Sequence, residues 1–421
     1  MSNCSFSSVC DAYDGGIVPS LNNPYASLTA SNTSFIGCCR TRNVECNGTE
    51  TNKLTPGRQN TTDNGANSFT WCEWSGSRTT GTENTCEDIA SNGGAICMHS
   101  QSSATVSIKH CSFNDCYANY DGGGVMCYKI KSVEIVNNLF NSCTAQNQCG
   151  GGMFINLISS CVRISGCEFQ KCSSYGWGGG LHLDNFQVSG TDCIGEESGE
   201  GESACVFDCS FTSCSLASTG GGGMYCANIP ITQFKMRSIQ FISCSASSYG
   251  GGLYLYPYRQ TSQNDVIYCY FLFFHECKCS AATPYGHDVM YYDYYSVYLS
   301  QNNPFYECYT TNTDDQRVCY GYNYAIASAW SYNQTSKKDW LKRGILNRFV
   351  AVSCGEEELC GLDESSACRT IGVAVEKSVI HVSLSVTLTE GNHQSETTTI
   401  VIGEKKISVT GKGMERFVEY I

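Results

Sequence analysis

Residues 113–155 read FNDCYANYDGGGVMCYKIKSVEIVNNLFNSCTAQNQCGGGMFI, and one order of signals is written twice within them. Phe113-x-x-Cys116 leads to Gly122–Gly124 and then to Val125 and Cys127. Phe140-x-x-Cys143 leads to Gly150–Gly152 and then to Met153 and Ile155. Working outward, the same order returns at Phe169–Cys172 with Gly178–Gly180, Phe211–Cys214 with Gly220–Gly223, and Phe241–Cys244 with Gly250–Gly252. The Phe-to-Phe spacings are 27, 29, 42 and 30, and each glycine run begins 9 or 10 residues after its Phe. The long spacing contains an acidic insertion, Gly195–Ser203, whose charge reads as a solvated loop. Further Phe-x-x-Cys signals stand at Phe35–Cys38, Phe69–Cys72, Phe274–Cys277 and Phe305–Cys308, with a version one residue longer at Phe6 and Cys10. Glycine pairs stand at Gly15–Gly16 and Gly93–Gly94.

Self-similarity at this period predicts a stack of like units, because one unit of about 30 residues cannot bury its own apolar face. After each glycine run the apolar residues alternate, which is the period of a strand. More strands follow in Val133-x-Ile135 and Val162-x-Ile164. Each repeat is therefore expected to supply two or three short strands with glycine-rich corners. The fold class predicted is all-β: a right-handed parallel β-helix, or solenoid, over residues 1–325. In it Phe113, Phe140, Phe169, Phe211 and Phe241 would form an interior aromatic ladder. A side chain at the middle glycine, Gly179, is expected to clash with the next coil.

Cys116, Cys143, Cys172, Cys214 and Cys244 share one repeat position, and Cys111, Cys167 and Cys209 share another. Stacked positions lie about 4.8 Å apart, within the Cα range of a disulfide, but parallel in-register neighbours point their Cβ atoms unsuitably. A ladder of free buried thiols is the expectation, with disulfides as the alternative.

After about Tyr322 the pattern changes. Residues 326–352 read as a linker, and their basic run (Lys337, Lys338, Lys342, Arg343, Arg348) reads as a solvated connector. Residues 353–421 read as the start of a second β-helix. A short capping helix is expected after Ser365 or Ser366, with Ile371, Ala374 and Val375 on one face. Strands would follow at Ile380–Val386, Ile400–Ile402 and Ile407–Val409.

The net charge of −13 makes nucleic acid an unsuitable partner. Thirty cysteines suggest either an oxidising compartment or a fold that uses Cys as a small core residue. Five sequons, at Asn3, Asn32, Asn47, Asn60 and Asn333, are candidate N-glycosylation sites and agree with export. The first residues show no signal peptide and no stretch is long and apolar enough for a membrane span. The chain starts inside a repeat and is expected to be a fragment of an extracellular or cell-surface protein.

Chemistry-bearing constellations are sparse. Gly286-His287-Asp288 and Asn312-Thr313-Asp314-Asp315 contain the residues of a polygalacturonase-type acid set, but in reversed order. Cys277-x-Cys279 with His275 lacks the spacing of a zinc site. Tyr291–Tyr298 could offer rings to sugars, or pack within a strand. No catalytic residue, cofactor or metal is therefore expected.

The alternation of Phe-x-x-Cys with glycine-rich runs resembles the repeats of chlamydial-type polymorphic outer-membrane proteins and related protist surface proteins. That family's paired motifs are Gly-Gly-Ala-Ile and Phe-x-x-Asn. Gly93-Gly94-Ala95-Ile96 matches the first, while Cys stands at 116, 143, 172, 214 and 244 in place of the Asn. The segment from Cys368-Arg-Thr-Ile to Ile407-Ser-Val-Thr-Gly is similar to the opening of pectin-lyase-like domains. The resemblance implies a right-handed coil and a non-enzymatic role in adhesion, ligand display or structure, with an unknown protein or glycan as ligand. The alternatives are a carbohydrate-active enzyme on the same fold and an intracellular scaffold.

Overall fold

In the computed structural model, residues 92–100, 105–186, 204–229, 234–257, 268–280 and 286–293 are described continuously. Elsewhere short segments, mostly strands, are described between residues 5 and 79 and between 305 and 420. The chain forms a parallel β-solenoid, and no helix occurs among the described residues.

Each full coil carries four strands, more than the two or three expected. In one coil they are Val125–Tyr128, Ser132–Val136, Leu139–Asn141 and Thr144–Ala145. Each pairs in parallel with its counterpart one coil on: Met153–Ile158, Cys161–Ser165, Glu168–Gln170 and Ser173–Ser174. Four parallel sheets thus run the length of the array: a glycine-led sheet, a second sheet, a Phe sheet and a short Ala/Ser sheet. Stacking pairs each coil's backbone with its neighbours, which a single repeat could not do.

The interior is one continuous core. Phe113, Phe140, Phe169, Phe211 and Phe241 are in register and stacked, with ring centroids 4.7–5.1 Å apart. The ladder extends to Phe274 at 5.0 Å and back to Trp74 at 4.8 Å.

Trp74 corrects part of the motif reading. Phe69 pairs with Ile108 in the second sheet, so Phe69–Cys72 is not a ladder motif, and Trp74 holds the ladder position. Phe305 likewise pairs with Cys269 in the second sheet, and Cys308 donates its thiol to the Cys269 carbonyl. Both cases imitate Phe-x-x-Cys because the second sheet also points an apolar residue inward three positions before a buried cysteine. Phe6 and Phe35 are in backbone register with each other and with Trp74.

The glycines divide three tasks. The first of each triplet adopts positive φ, as at Gly122, Gly150 and Gly178, and in the four-glycine run it is Gly221. A Cβ on the second would strike the next coil: at Gly179 it would meet the carbonyl oxygens of Gly222 and Ser215. The third makes room for the ladder, since a Cβ at Gly180 would lie 2.7 Å from Cδ1 of Phe211. Up to three further corners per coil are left-handed without glycine, as at Lys129, Asn137 and Ser142. Short polar residues recur there, in keeping with the tolerance of Asn and Asp for this region, although Lys171 and Phe271 adopt it too.

The chain divides into two compact units, Met1–Cys308 with Asn312–Leu341, and Tyr309–Thr311 with Lys342–Ile421. In the second, Asn347–Val350, Leu384–Leu388 and Ile407–Gly411 pair in parallel, and Met414–Tyr420 closes antiparallel on the last. Lys342–Arg343 pairs in parallel with Tyr309–Thr310. The capping helix expected after Ser365, the strand at Ile400–Ile402 and the acidic insertion Gly195–Ser203 lie outside the described residues.

Candidate functional site: the outer face of the glycine-led sheet

Strand alternation sends Val125, Met153, Leu181, Met224 and Leu253 inward, so the residues after them face out. Those are Met126, Phe154, His182, Tyr225 and Tyr254, and they stack in register outside the main core. Ring centroids are 4.8 Å apart for Phe154–His182 and His182–Tyr225, and 5.1 Å for Tyr225–Tyr254. The turns that precede the glycine runs fold over this second ladder. Trp177 packs on Tyr225 at 4.7 Å and on Tyr254 at 5.5 Å, and Tyr249 packs edge-on to Tyr254. Tyr175, two residues before Trp177, is 56% exposed, the one large apolar side chain so exposed among the described residues.

A polar column runs beside the rings. Asn156 and Asp184 are in register, two residues along from Phe154 and His182. Asn185 donates to Asn156, and Asn228 donates to Asp184 at 2.8 Å. His182 Nε2 lies 4.0 Å from the Asp184 carboxylate. Burial drives the His182 pKa down to about 3, against an opposing pull from the Trp177 backbone, and its Nδ1 has no hydrogen bond of normal geometry. Burial also raises Asp184, with the Asn228 amide opposing it. His182 is therefore a neutral ring within a stack. Phe154, His182, Tyr225 and Tyr254 are themselves buried, so the stack is a second packed layer whose Tyr225–Tyr254 end is covered by Trp177 and Tyr249.

The predicted thiol ladder sits on the interior. Cys143, Cys172, Cys214, Cys244 and Cys277 each donate to the carbonyl of the Phe one coil back, at 3.2–3.4 Å. Cys116 points in the same way at the Trp74 carbonyl. In the second column Asn138 replaces Cys between Cys111 and Cys167 and bridges the Cys111 N–H and the Ile108 carbonyl, both at 2.8 Å. Seventeen described cysteines are free and buried, whereas Cys161 is disulfide-bonded. Burial pushes the Cys143, Cys214 and Cys226 thiols well up, and Cys279 to about 12, whereas Cys172 and Cys244 are drawn down against burial by hydrogen bonds from the neighbouring ladder thiols; all are shielded by burial from outside reagents.

The remaining sequence candidates are dispersed. Asp288 is fully buried, away from any substrate-facing surface, and Asp314 and Asp315 lie outside the described residues. Cys279 donates its thiol to the Gly286 carbonyl, and its N–H donates to His287. No group of three metal-ligating side chains occurs among the described residues. Tyr291 is buried in the interior, and Tyr294–Tyr298 are outside the description. Asn60 lies in the strand Arg58–Thr61 and Asn333 in Asn333–Ser336, while Asn3, Asn32 and Asn47 are outside the described residues. No helix among the described residues is long and apolar enough to cross a membrane.

Fold and surface together define a cysteine-rich parallel β-solenoid. No protein-family model, no curated protein and no solved structure matches the chain.

Proposed function

We propose that this is a non-enzymatic, extracellular or surface-displayed solenoid of the right-handed pectin-lyase-like type, akin to polymorphic outer-membrane protein repeats, and that it works by ligand display or adhesion. The observation that carries the reading is Tyr175, 56% exposed two residues before Trp177, the ring that packs over the buried outer ladder. An exposed tyrosine ring matches the amphipathic surface of a glycan or of a partner protein. A rigid coil presents it without ordering cost.

A glycan and surface-protein array probed with the full chain tests this. Binding that falls about tenfold on Tyr175→Ala supports it, as loss of one ring contact in a small interface should. Tyr175 is exposed, so this variant keeps the fold. Unsaturated or reducing ends released from a polysaccharide panel would instead make the protein an enzyme.

One observation favours a second reading, the intracellular scaffold. Seventeen unpaired thiols suit a reducing compartment, whereas the Cys161 disulfide suits an oxidising one. Alkylating the protein at the moment of cell lysis and counting labelled cysteines separates the two. A labelled Cys161 would support the intracellular reading.

A further inference from the structure

The second sheet has its own outer face. Its strands Thr105–Lys109, Ser132–Val136, Cys161–Ser165, Ala204–Phe207 and Phe234–Arg237 point Val106, Ile108 and their counterparts inward. The outward positions include Lys109, Glu134, Arg163, Lys235 and Arg237, four cations and one anion on a chain of net charge −13. The one carboxylate is spoken for: Glu134 pairs with Lys109 at 2.8 Å and accepts from Ser107 at 3.1 Å.

Arg163 stands one strand further on and has no ion pair or hydrogen bond among the described residues. Its Nε is buried, and its guanidinium lies 5.3 Å from the Phe207 ring centroid. Arg237 approaches the same ring from the next coil, at 5.5 Å. Lys235 shares the Arg163 column, with Cys205 between them. Phe207 thus braces two planar cations, and Asp208 is the carboxylate at the adjoining corner, exposed to solvent.

We infer that this face binds an acidic polysaccharide, with Arg163 and Arg237 holding its sulfate or carboxylate groups and Lys235 adding charge between coils. Arg163, held against the ring and without an ion pair among the described residues, keeps its donors for a bidentate anion, and Arg237 adds a second guanidinium on the same ring. A nucleic acid fits less well. The Phe207 ring serves the two guanidiniums rather than a base, and the acidic remainder of the chain would repel a long phosphate backbone. The inference is independent of what the glycine-led sheet binds, because the two faces belong to different sheets.

The test is binding of the full chain to heparin, to uncharged dextran and to single-stranded DNA at physiological salt. Heparin should bind and dextran should not. Arg163→Gln and Arg237→Gln should each weaken heparin binding about tenfold, the effect of losing one charge-assisted contact. Lys278→Gln, on the short Ala/Ser sheet, should leave it unchanged, and circular dichroism should show each variant folded. Heparin binding that is absent, or indifferent to both Arg variants, overturns the inference. DNA bound as tightly, with the same dependence on Arg163, also overturns it in favour of an unselective polyanion patch.

Discussion

Inside the coil, the rings from Trp74 to Phe274 stack with planes 4–10° apart. Outside the glycine-led sheet, Phe154, His182, Tyr225 and Tyr254 stack at similar distances with planes 18–23° apart. The same in-register geometry builds both ladders, but the inner one is Phe at every position from Phe113 to Phe274 with Trp74 at its end, whereas the outer one mixes Met, Phe, His and Tyr. From Phe140 to Phe274 each inner ring is wedged between its neighbours and the last glycine of a corner, so a change in size there has nowhere to go. The outer rings are covered by turns that adjust to Met, Phe, His or Tyr. Uniformity therefore reports rigid enclosure, and variation reports a layer whose covering turns can adjust.

The comparison can be broken most severely at the corner that encloses the inner ladder. Gly179→Val drives a side chain into backbone on two sides and should cost more than about 4 kcal/mol or prevent folding. Gln146→Ala, on an exposed turn, should stay within about 0.5 kcal/mol. Chemical denaturation followed by circular dichroism compares the two.

Next in size is Phe169→Ala, which opens a gap between rings 4.8 Å and 4.7 Å away. It should cost about 3–5 kcal/mol. The same truncation at Phe154, on the outer ladder, should cost clearly less, because the covering turns can collapse. Equal losses would contradict the distinction between the ladders.

The outer ladder should also show itself in the pH dependence of stability. His182 has a folded pKa near 3, below its unfolded value near 6.5, so the folded state holds fewer protons between those limits. Its contribution is present above pH 6.5 and is lost as pH falls toward 3. Asp184, raised by burial, gives a slope of opposite sign just above its unfolded value. His182→Phe should therefore lessen acid sensitivity relative to the parent, and the difference between the two curves isolates the histidine.

The smallest effect expected is on thiol labelling. Native protein should leave the buried ladder from Cys116 to Cys277 unreacted with an aromatic disulfide reagent. Unfolded protein should expose those thiols without prior reduction.

The repeat made the inner ladder legible because Phe recurs at every ladder position from Phe113 to Phe274. It misled at Phe69 and Phe305, where the spacing is right but the strand belongs to the second sheet. Phe-x-x-Cys spacing alone carries no information on which sheet a residue joins, and only the pairing partner resolves it. The outer ladder had no consensus to find. His182, Tyr225 and Tyr254 look unrelated until register places them in one column. The cations of the second sheet were scattered in the same way, at 163, 235 and 237.

By itself the sequence determined that like segments stack in parallel, that glycines turn the corners, and that Phe and Cys fill the interior. These are demands of packing repeated in every coil, so they leave a period in the chain. Tertiary structure alone decided the number of strands per coil, the entry of Trp74 into the ladder, and the side chains that meet on the outer faces. Those depend on register between residues about thirty positions apart, and contacts across that distance are made by the coil and not by neighbours in sequence.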